Sequence, residues 1–396
     1  MVLSNKMNSY EDDRKRAAVD KTTEGAKRKK TAGSFTLRTL KGSLDAGVRT
    51  NDKVHRSIDI CPVMDIFMKS RQFQRLGKLK QLGTSDMVYM NANHTRKEHS
   101  LGVAQLANFL CRRIKHDQPS LETTDKDVLC VTLAGLLHDV GHGPFSHIFE
   151  KFRKEVDSDI ANNPSTEELY NKFPKVTDGW KHEDSSLFMI DSILESLGLE
   201  IDLDKLDEPL KQIGDGIDAR SMRVFKTENM VLHSRDLVFV KECIYGKPLP
   251  EVKAKFGDRF IGREEAHKEW LYDIVTNRYS GLDVDKIDYL ARDQDRTIGG
   301  NGAPDTQALY EACVAKAKCS KEDCATCREG HHFMICYPKK TAISVIRFFK
   351  KRFEMHNVVY QHKTTVATSF MICDILREAD LHFLRPSGKL GDLPIR

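Results

Sequence analysis

His138 and Asp139 stand side by side at the end of an apolar stretch and open the segment His138-Asp-Val-Gly-His-Gly-Pro-Phe-Ser-His147. Its Gly and Pro residues stop the preceding helix just after the pair. An imidazole and a carboxylate buried there are costly unless they are paired or bound to a cation. Taken alone, a His-Asp dipeptide is more often a satisfied core histidine with a capping aspartate. This one has company. Arg96 and His99, three apart on a helix, share a face and offer an imidazole beside a guanidinium suited to phosphate. In Asp283-Val-Asp-Lys-Ile-Asp-Tyr-Leu-Ala-Arg-Asp293 the residues Asp285, Tyr289 and Asp293 fall at i, i+4 and i+8 along one helical stripe, with Lys286 flanking it. Two histidines and two aspartates drawn from these segments make the mixed nitrogen and oxygen set favoured by Mn, Fe or Zn, with positions left for water and a phosphate oxygen. Such an ion acidifies bound water and polarises a phosphoryl group. Arg96 and Lys286 would neutralise phosphate charge.

The elements that must position these residues are mostly helical. From about Asn51 the chain reads as continuously helical in character. Asn93 to Ile114 offers Leu101, Ala104, Leu106, Phe109 and Leu110 for burial, and Asp127 to Val140 offers Leu129, Leu133, Leu136 and Leu137. Glu155 to Trp180 is polar, contains Asn-Asn-Pro at 162–164, and reads as a long loop. Asp184 to Leu197 resumes the helical period. Ala312 to Lys316 and Phe333 to Tyr337 read as two short strands joined by a polar, cysteine-containing connection, and Thr341 to Leu384 reads as helix. The expected fold class is mainly α, a helical phosphohydrolase core with a small β-hairpin. Residues 1–49 read as a disordered basic arm, 50–385 as the catalytic-type domain and 386–396 as a tail; no internal repeat is present.

The 396 residues are 40% hydrophobic and 31% charged, which is ordinary for a soluble protein with one large domain or two smaller ones. No apolar run approaches the roughly 20 residues that span a bilayer, and Met1 to Tyr10 lacks the order of a secretory signal. The expectation is no membrane partner, a cytosolic or nuclear location, and ten cysteines that are mostly reduced. A net charge of +5 suits anionic ligands without proving nucleic-acid binding. In the arm, Arg14, Lys15 and Arg16 followed by Lys27, Arg28, Lys29 and Lys30 have the spacing of a bipartite nuclear import signal, so the nucleus, with the cytoplasm beside it, is the expected location. The plain alternative is a solvated basic tail.

With its surroundings Arg96-Lys-Glu-His99-Ser-Leu-Gly and Asp283-Val-Asp-Lys-Ile-Asp-Tyr289, the ordered set H…HD…D closely resembles the SAM-and-HD-domain deoxynucleoside triphosphate triphosphohydrolases. The resemblance runs from about Asn51 to about Asp380 and takes in Gln72-Phe-Gln-Arg-Leu76, Lys80-Gln-Leu-Gly83 and Tyr360-Gln-His-Lys363. It implies an HD-domain helical fold that splits a dNTP at the α-phosphorus into deoxynucleoside and triphosphate. The metal ligands it implies are His99, His138, Asp139 and Asp285, holding one Fe, Mn or Zn, with Mg accompanying the triphosphate. His147 is implied as general acid at the 5′ oxygen, supported by Glu150 and His182, with His142 on a phosphate; the family more often has Asp at the place of Glu150. Arg96, Lys286 and Arg352 are implied to hold the triphosphate, and Tyr289, Asp293 and Gln81 to read the sugar. Tyr360, Gln361 and Leu82 are implied near sugar and base. By pattern alone, Tyr360 and Leu82 are equally core residues, and Arg352 beside Lys350 and Lys351 a solvated face.

The sequence also departs from that pattern. It shows no recognisable SAM domain and stops before the family's C-terminal lobe. The family assembles into oligomers through a guanine-nucleotide activator pocket, and the matching positions here are Val48, Lys69 and Gly77. Lys69 reverses the charge facing a guanine edge and Gly77 removes a phosphate cation, although Gln74 persists and Arg49 can stand in for a missing Lys. A nucleotide activator at an altered site and a homo-oligomer, dimer or tetramer, are therefore expectations. Cys319, Cys324 and Cys327 with His331 and His332 offer a structural zinc site, with a redox-sensitive thiol pair and inert cysteines as alternatives. Two other functions stay open. One is an HD phosphohydrolase acting on another nucleotide or a nucleic-acid end. The other is a single-stranded nucleic-acid binding protein that uses the basic arm with Lys350, Lys351 and Arg352.

Overall fold

Two capping boxes start the helices on which the site is built. Thr95 and Glu98 exchange side-chain and backbone hydrogen bonds at the head of Arg96–Asp117, and Thr124 and Asp127 do the same for Asp125–Leu137. In this computed structural model, residues 47–162, 180–213, 231–299, 307–318 and 331–384 are described. In chain order the main elements are β1 (Val48–Asp52), β2 (Arg56–Ile60), α1 (Pro62–Lys69), α2 (Arg71–Arg75), α3 (Arg96–Asp117), α4 (Asp125–Leu137), α5 (His147–Asn162) and α6 (His182–Ser196). There follow β3 (Leu199–Glu200), β4 (Lys211–Gln212), α7 (Ser234–Tyr245), α8 (Pro250–Phe256), α9 (Val284–Arg296), α10 (Gln307–Glu311), β5 (Cys313–Lys318), β6 (His331–Cys336), α11 (Ala342–Met355) and α12 (Lys363–Leu384).

Helix α4 is the centre of the core: every residue from Asp127 to Leu137 is buried, so it shows little amphipathic contrast. It packs closely on α3 because Gly135 lies against Ala104; a Cβ there would sit 3.2 Å from the Ala104 Cα. The final helical residues therefore deliver His138 and Asp139 into the interior beside Arg96 and His99 at the start of α3. Helix α9, started by the side chain of Asp283 capping the Lys286 amide, brings Asp285 to the same place.

Several boundaries differ from the sequence reading. The chain after Asn51 is not yet helical: β1 and β2 form an antiparallel hairpin with Val48 opposite Ile60 and Asp52 opposite Arg56. The domain edge expected at residue 49 thus falls inside a strand. A second two-residue pair, β3 with β4, was also unread, whereas the expected hairpin is β5 with β6, starting at Cys313 and ending at Cys336. The loop expected from Glu155 is helix as far as Asn162, and residues 163–179 of that expectation lie outside the described residues. Thr341 to Leu384 is broken by a π-turn at His356–Tyr360 between α11 and α12. The import-type basic clusters, Cys319, Cys324, Cys327 and the 386–396 tail lie outside the described residues.

Candidate metal and phosphoester site

His99 turns Nδ1 to Asp288 Oδ2 at 2.8 Å, and His138 turns Nδ1 to the Gly135 carbonyl at 2.8 Å. Both Nε2 atoms consequently face one point, 3.3 Å apart. Asp285 Oδ1 lies 3.0 Å from His99 Nε2 and 3.6 Å from His138 Nε2. The carboxylate of Asp139 contributes Oδ2 at 3.6 Å from His99 Nε2 and Oδ1 at 3.5 Å from His138 Nε2. The electrostatics favour positive charge here. Burial lowers the proton affinity of His99, but hydrogen bonds to Asp285 and Asp288 outweigh it and raise its pKa to about 10. Burial works against ionising Asp139 and Asp285, yet Arg96 and the histidines hold Asp139, and His138 and His99 hold Asp285, below the usual carboxylate range. Two imidazoles oriented by outer hydrogen bonds and two ionised carboxylates fit a divalent transition ion.

Asp288 is a residue the sequence reading did not use. It also meets His55 Nε2 at 2.5 Å and takes two hydrogen bonds from Arg292, at 2.9 and 3.0 Å. Arg292 reaches on to Asp52 at 2.7 Å, which ties the β1–β2 turn to the back of His99. Only Gly102 on α3 permits this approach, since a Cβ there would lie 1.9 Å from Asp288 Oδ1. The one sequence signal of Asp288 is its place as an acid one helical turn beyond Asp285, within the Asp283–Tyr289 segment.

Beside these ligands lies a second group, His142, His147, Glu150 and His182. Glu150 Oε1 binds His182 Nδ1 in a short contact and lies 3.5 Å from His147 Nδ1. His142 and His182 stack with centroids 3.9 Å apart and planes 18° apart. Near-parallel imidazoles direct their in-plane lone pairs alongside one another, so this arrangement suits proton handling better than chelation. Asp139 Oδ1 joins the two groups, 3.4 Å from His142 Nε2 and 3.9 Å from His182 Nε2. His147 is exposed and aimed from a tight turn in which Phe145 and Ser146 hold φ at 61° and 59°, a conformation disfavoured for non-glycine residues. Ser146 stabilises that turn: it accepts from Arg96 Nε at 2.8 Å and donates to the Lys80 carbonyl at 2.7 Å. Gly141 lets α6 approach, since a Cβ would lie 2.1 Å from the Ser186 amide nitrogen, and this delivers His182.

The phosphate-side residues are less open than expected. Arg96 is buried, with Nη1 on Asp139 Oδ2 at 2.5 Å. Lys286 Nζ is on Asp283 at 2.7 Å. Arg352 Nε donates to the Tyr289 hydroxyl at 3.2 Å, which places this residue at the site rather than on a remote face. The sugar-side residues converge: Tyr360 donates to Asp293 Oδ2 at 2.8 Å, and Tyr289 and Tyr360 meet edge to face. Gln81 is buried, Leu82 packs against the core, and Gln361 points outward as an exposed side chain. At the positions that the resemblance aligns with an activator pocket, Val48 is exposed, Lys69 is paired with Asp65 at 2.5 Å and Arg49 with Asp59 at 2.6 Å. Gln74 Oε1 accepts from Lys97 at 3.0 Å, and Gly77 is exposed, with the Lys97 stem beside it. A cavity of about 820 Å³ opens elsewhere, among Lys126, Asp127, Arg235, Asp236, Arg263 and Lys268. Its cations are paired with neighbouring acids, so it offers no open charge for a ligand. Among the described residues no helix is long and apolar enough to cross a membrane.

A helical core that brings a His-Asp pair, a second histidine and a distant aspartate to one point is the architecture of an HD domain, and the HD-domain family model matches residues 96–197. Over 357 residues the chain is 33% identical to the deoxynucleoside triphosphate triphosphohydrolase SAMHD1 of Gallus gallus, covering 90% of this chain and 49% of that protein. It is 34% identical to the Mus musculus protein of that name over 331 residues, 83% of this chain and 44% of the other. The Bos taurus protein of that name gives 32% over 342 residues, 86% and 49%. The chain carries an HD domain at residues 96–197 and is similar, over most of its own length, to proteins named as deoxynucleoside triphosphate triphosphohydrolases. It spans about half the length of the curated relatives it matches.

Proposed function

We propose that this chain is a metal-dependent phosphohydrolase that splits deoxynucleoside triphosphates into deoxynucleoside and triphosphate, lowering dNTP pools. The carrying observation is that His99, His138, Asp139 and Asp285 converge on one point while Asp139 also borders the His142, His147, Glu150 and His182 group. When bound, a divalent Fe, Mn or Zn ion supplies Lewis acidity toward a phosphate oxygen and acidifies water, with Mg accompanying the triphosphate. Water attacks the α-phosphorus and loses a proton to solvent, the bond from phosphorus to the 5′ oxygen breaks, and that oxygen takes a proton from His147, which is exposed and regains it from solvent. Glu150 holds His147 and His182 beside the leaving group, and Arg96 keeps Asp139 ionised and aligned. Arg352 and Lys286 need only exchange their present partners, Tyr289 and Asp283, for phosphate oxygens. Incubation of the purified chain with each dNTP and the matching NTP, in Mn and in Mg, tests the reading. Triphosphate release from dNTPs well above that from NTPs supports it, and no turnover by metal-loaded protein rejects it.

The same reading carries further parts. A homo-oligomer is supported by the exposed apolar side chains Ile343, Ile346, Phe353, Phe370 and Met371 on α11 and α12. A nucleotide activator would meet Lys97 in place of the cation missing at Gly77. Nuclear location and contact with single-stranded nucleic acid are supported by the two basic clusters of the arm together with Lys350 and Lys351. A structural zinc at Cys319, Cys324, Cys327 and His331 is supported by their spacing alone.

A further inference from the structure

Asp293 is buried and held by two donors of different kinds. Tyr360 gives its hydroxyl proton to Oδ2 at 2.8 Å, and His94 places Nε2 2.7 Å from Oδ1. His94 is buried, and its Nδ1 makes no hydrogen bond among the described residues. A proton on Nδ1 would be an unmatched buried donor, whereas an N–H on Nε2 is directed at Asp293. One donor on each oxygen fixes the carboxylate's rotation and keeps it an acceptor, with a lone pair to spare on both atoms. The backbone fixes His94 in turn. Lys80 and Thr95 form an antiparallel bridge, and the Gln81 amide donates to the His94 carbonyl at 2.9 Å. Gln81 and His94 are therefore adjacent, and Gln81 Oε1 is another buried acceptor that makes no hydrogen bond among the described residues.

We infer that His94 is a positioning residue that sets recognition of the sugar 3′ hydroxyl by aligning Asp293; this rests on the proposed dNTP reaction. Asp293 lies two helical turns beyond the ligand Asp285 on α9, about 12 Å along the axis, with Tyr289 between them. With the α-phosphorus at the ligands, the deoxyribose falls on this stretch, and its only free hydroxyl donor is at the 3′ position. A carboxylate that already accepts from two donors and keeps a lone pair on each oxygen is the complement of such a hydroxyl.

The test uses His94→Gln, His94→Asn and His94→Leu, each checked for fold by circular dichroism and for metal content. Gln carries an amide nitrogen near the place of Nε2, whereas Asn stops near Nδ1 and Leu donates nothing. The readout is kcat/KM for a dNTP against the matching 2′,3′-dideoxynucleoside triphosphate. The wild-type chain and His94→Gln should prefer the dNTP, while His94→Asn and His94→Leu should lose roughly tenfold or more of that preference, the size expected for a hydrogen bond to a charged group. Tyr360→Phe, which removes the other donor, should shift the ratio in the same direction and covers the case in which a His94 variant does not fold. If all folded variants lower both rates equally and leave the ratio unchanged, His94 has only a structural role and the inference is overturned. If the wild-type chain hydrolyses neither nucleotide, the proposed function fails and takes this inference with it.

Discussion

Asp288 Oδ2 lies 2.8 Å from His99 Nδ1, so a carboxylate with no place among the metal-type ligands decides which nitrogen of His99 faces them. Outer carboxylates of this kind fix the ring's orientation and raise its basicity toward a metal. Asp288→Ala should weaken divalent-ion affinity by about 10- to 100-fold, read by competition with a chromophoric chelator. Unchanged affinity in a folded variant would mean that His99 is oriented by other contacts.

Gly102 is the place where that carboxylate meets α3. A Cβ would sit 1.9 Å from Asp288 Oδ1 and 2.5 Å from Arg292 Nη2. Gly102→Ala should therefore destabilise the fold by about 1–3 kcal/mol, the usual cost of overpacking, and lower metal content at the same time. Urea unfolding with metal analysis checks both, and a variant as stable and as metal-rich as the parent contradicts the packing described.

Ser146 joins Arg96 to the turn that presents His147. Removing its hydroxyl leaves the buried Arg96 Nε short of a partner and takes from the Lys80 carbonyl its shorter bond, the Gly83 amide remaining at 3.4 Å. Ser146→Ala should cost about 1–3 kcal/mol of stability and reduce kcat, because the strained backbone at Phe145 and Ser146 loses its tie. Calorimetry paired with steady-state kinetics separates the two effects; full activity in the variant would remove Ser146 from the account.

Glu150 and His182 predict a pH dependence of stability. Burial opposes the charge of Glu150, but hydrogen bonds from His147 and His182 hold its pKa below the ordinary 4.5. Burial also opposes the charge of His182, but Glu150 raises its pKa above the ordinary 6.5. The carboxylate's contribution is present above 4.5 and lost as pH falls through its lower folded value; the imidazole's is present below 6.5 and lost as pH rises through its higher one. The pair therefore stabilises most between 4.5 and 6.5. Glu150→Gln should cost about 1 kcal/mol at mildly acidic pH and less under alkaline conditions, as read by urea melts at both. A cost that grows with pH contradicts this pairing.

That His138, Asp139, His99 and Asp285 belong together was legible because they differ sharply in chemistry from the apolar helices that carry them. Their outer partners were not. His55, His94 and Asp288 act from separate segments, and their roles exist only once β1–β2 and α9 meet α3. The β1–β2 hairpin did leave a trace, since Ile58 and Ile60 are buried while Ser57 and Asp59 alternate outward, but five residues against a long helical background gave a weak signal. In α5 the polar run from Glu155 concealed a helix whose outer face is solvated. Charge, helical spacing and the family resemblance mark Arg96 and Lys286 as phosphate cations, and sequence does not reveal that both already have carboxylate partners.

The most direct test is hydrolysis of a dNTP by metal-loaded protein in ¹⁸O-labelled water, followed by mass spectrometry of both products. Attack at the α-phosphorus with departure of the 5′ oxygen predicts that triphosphate carries the label and the deoxynucleoside does not, and that Asp139→Ala abolishes both products. Label in the deoxynucleoside, release of pyrophosphate in place of triphosphate, or undiminished turnover by Asp139→Ala would contradict it.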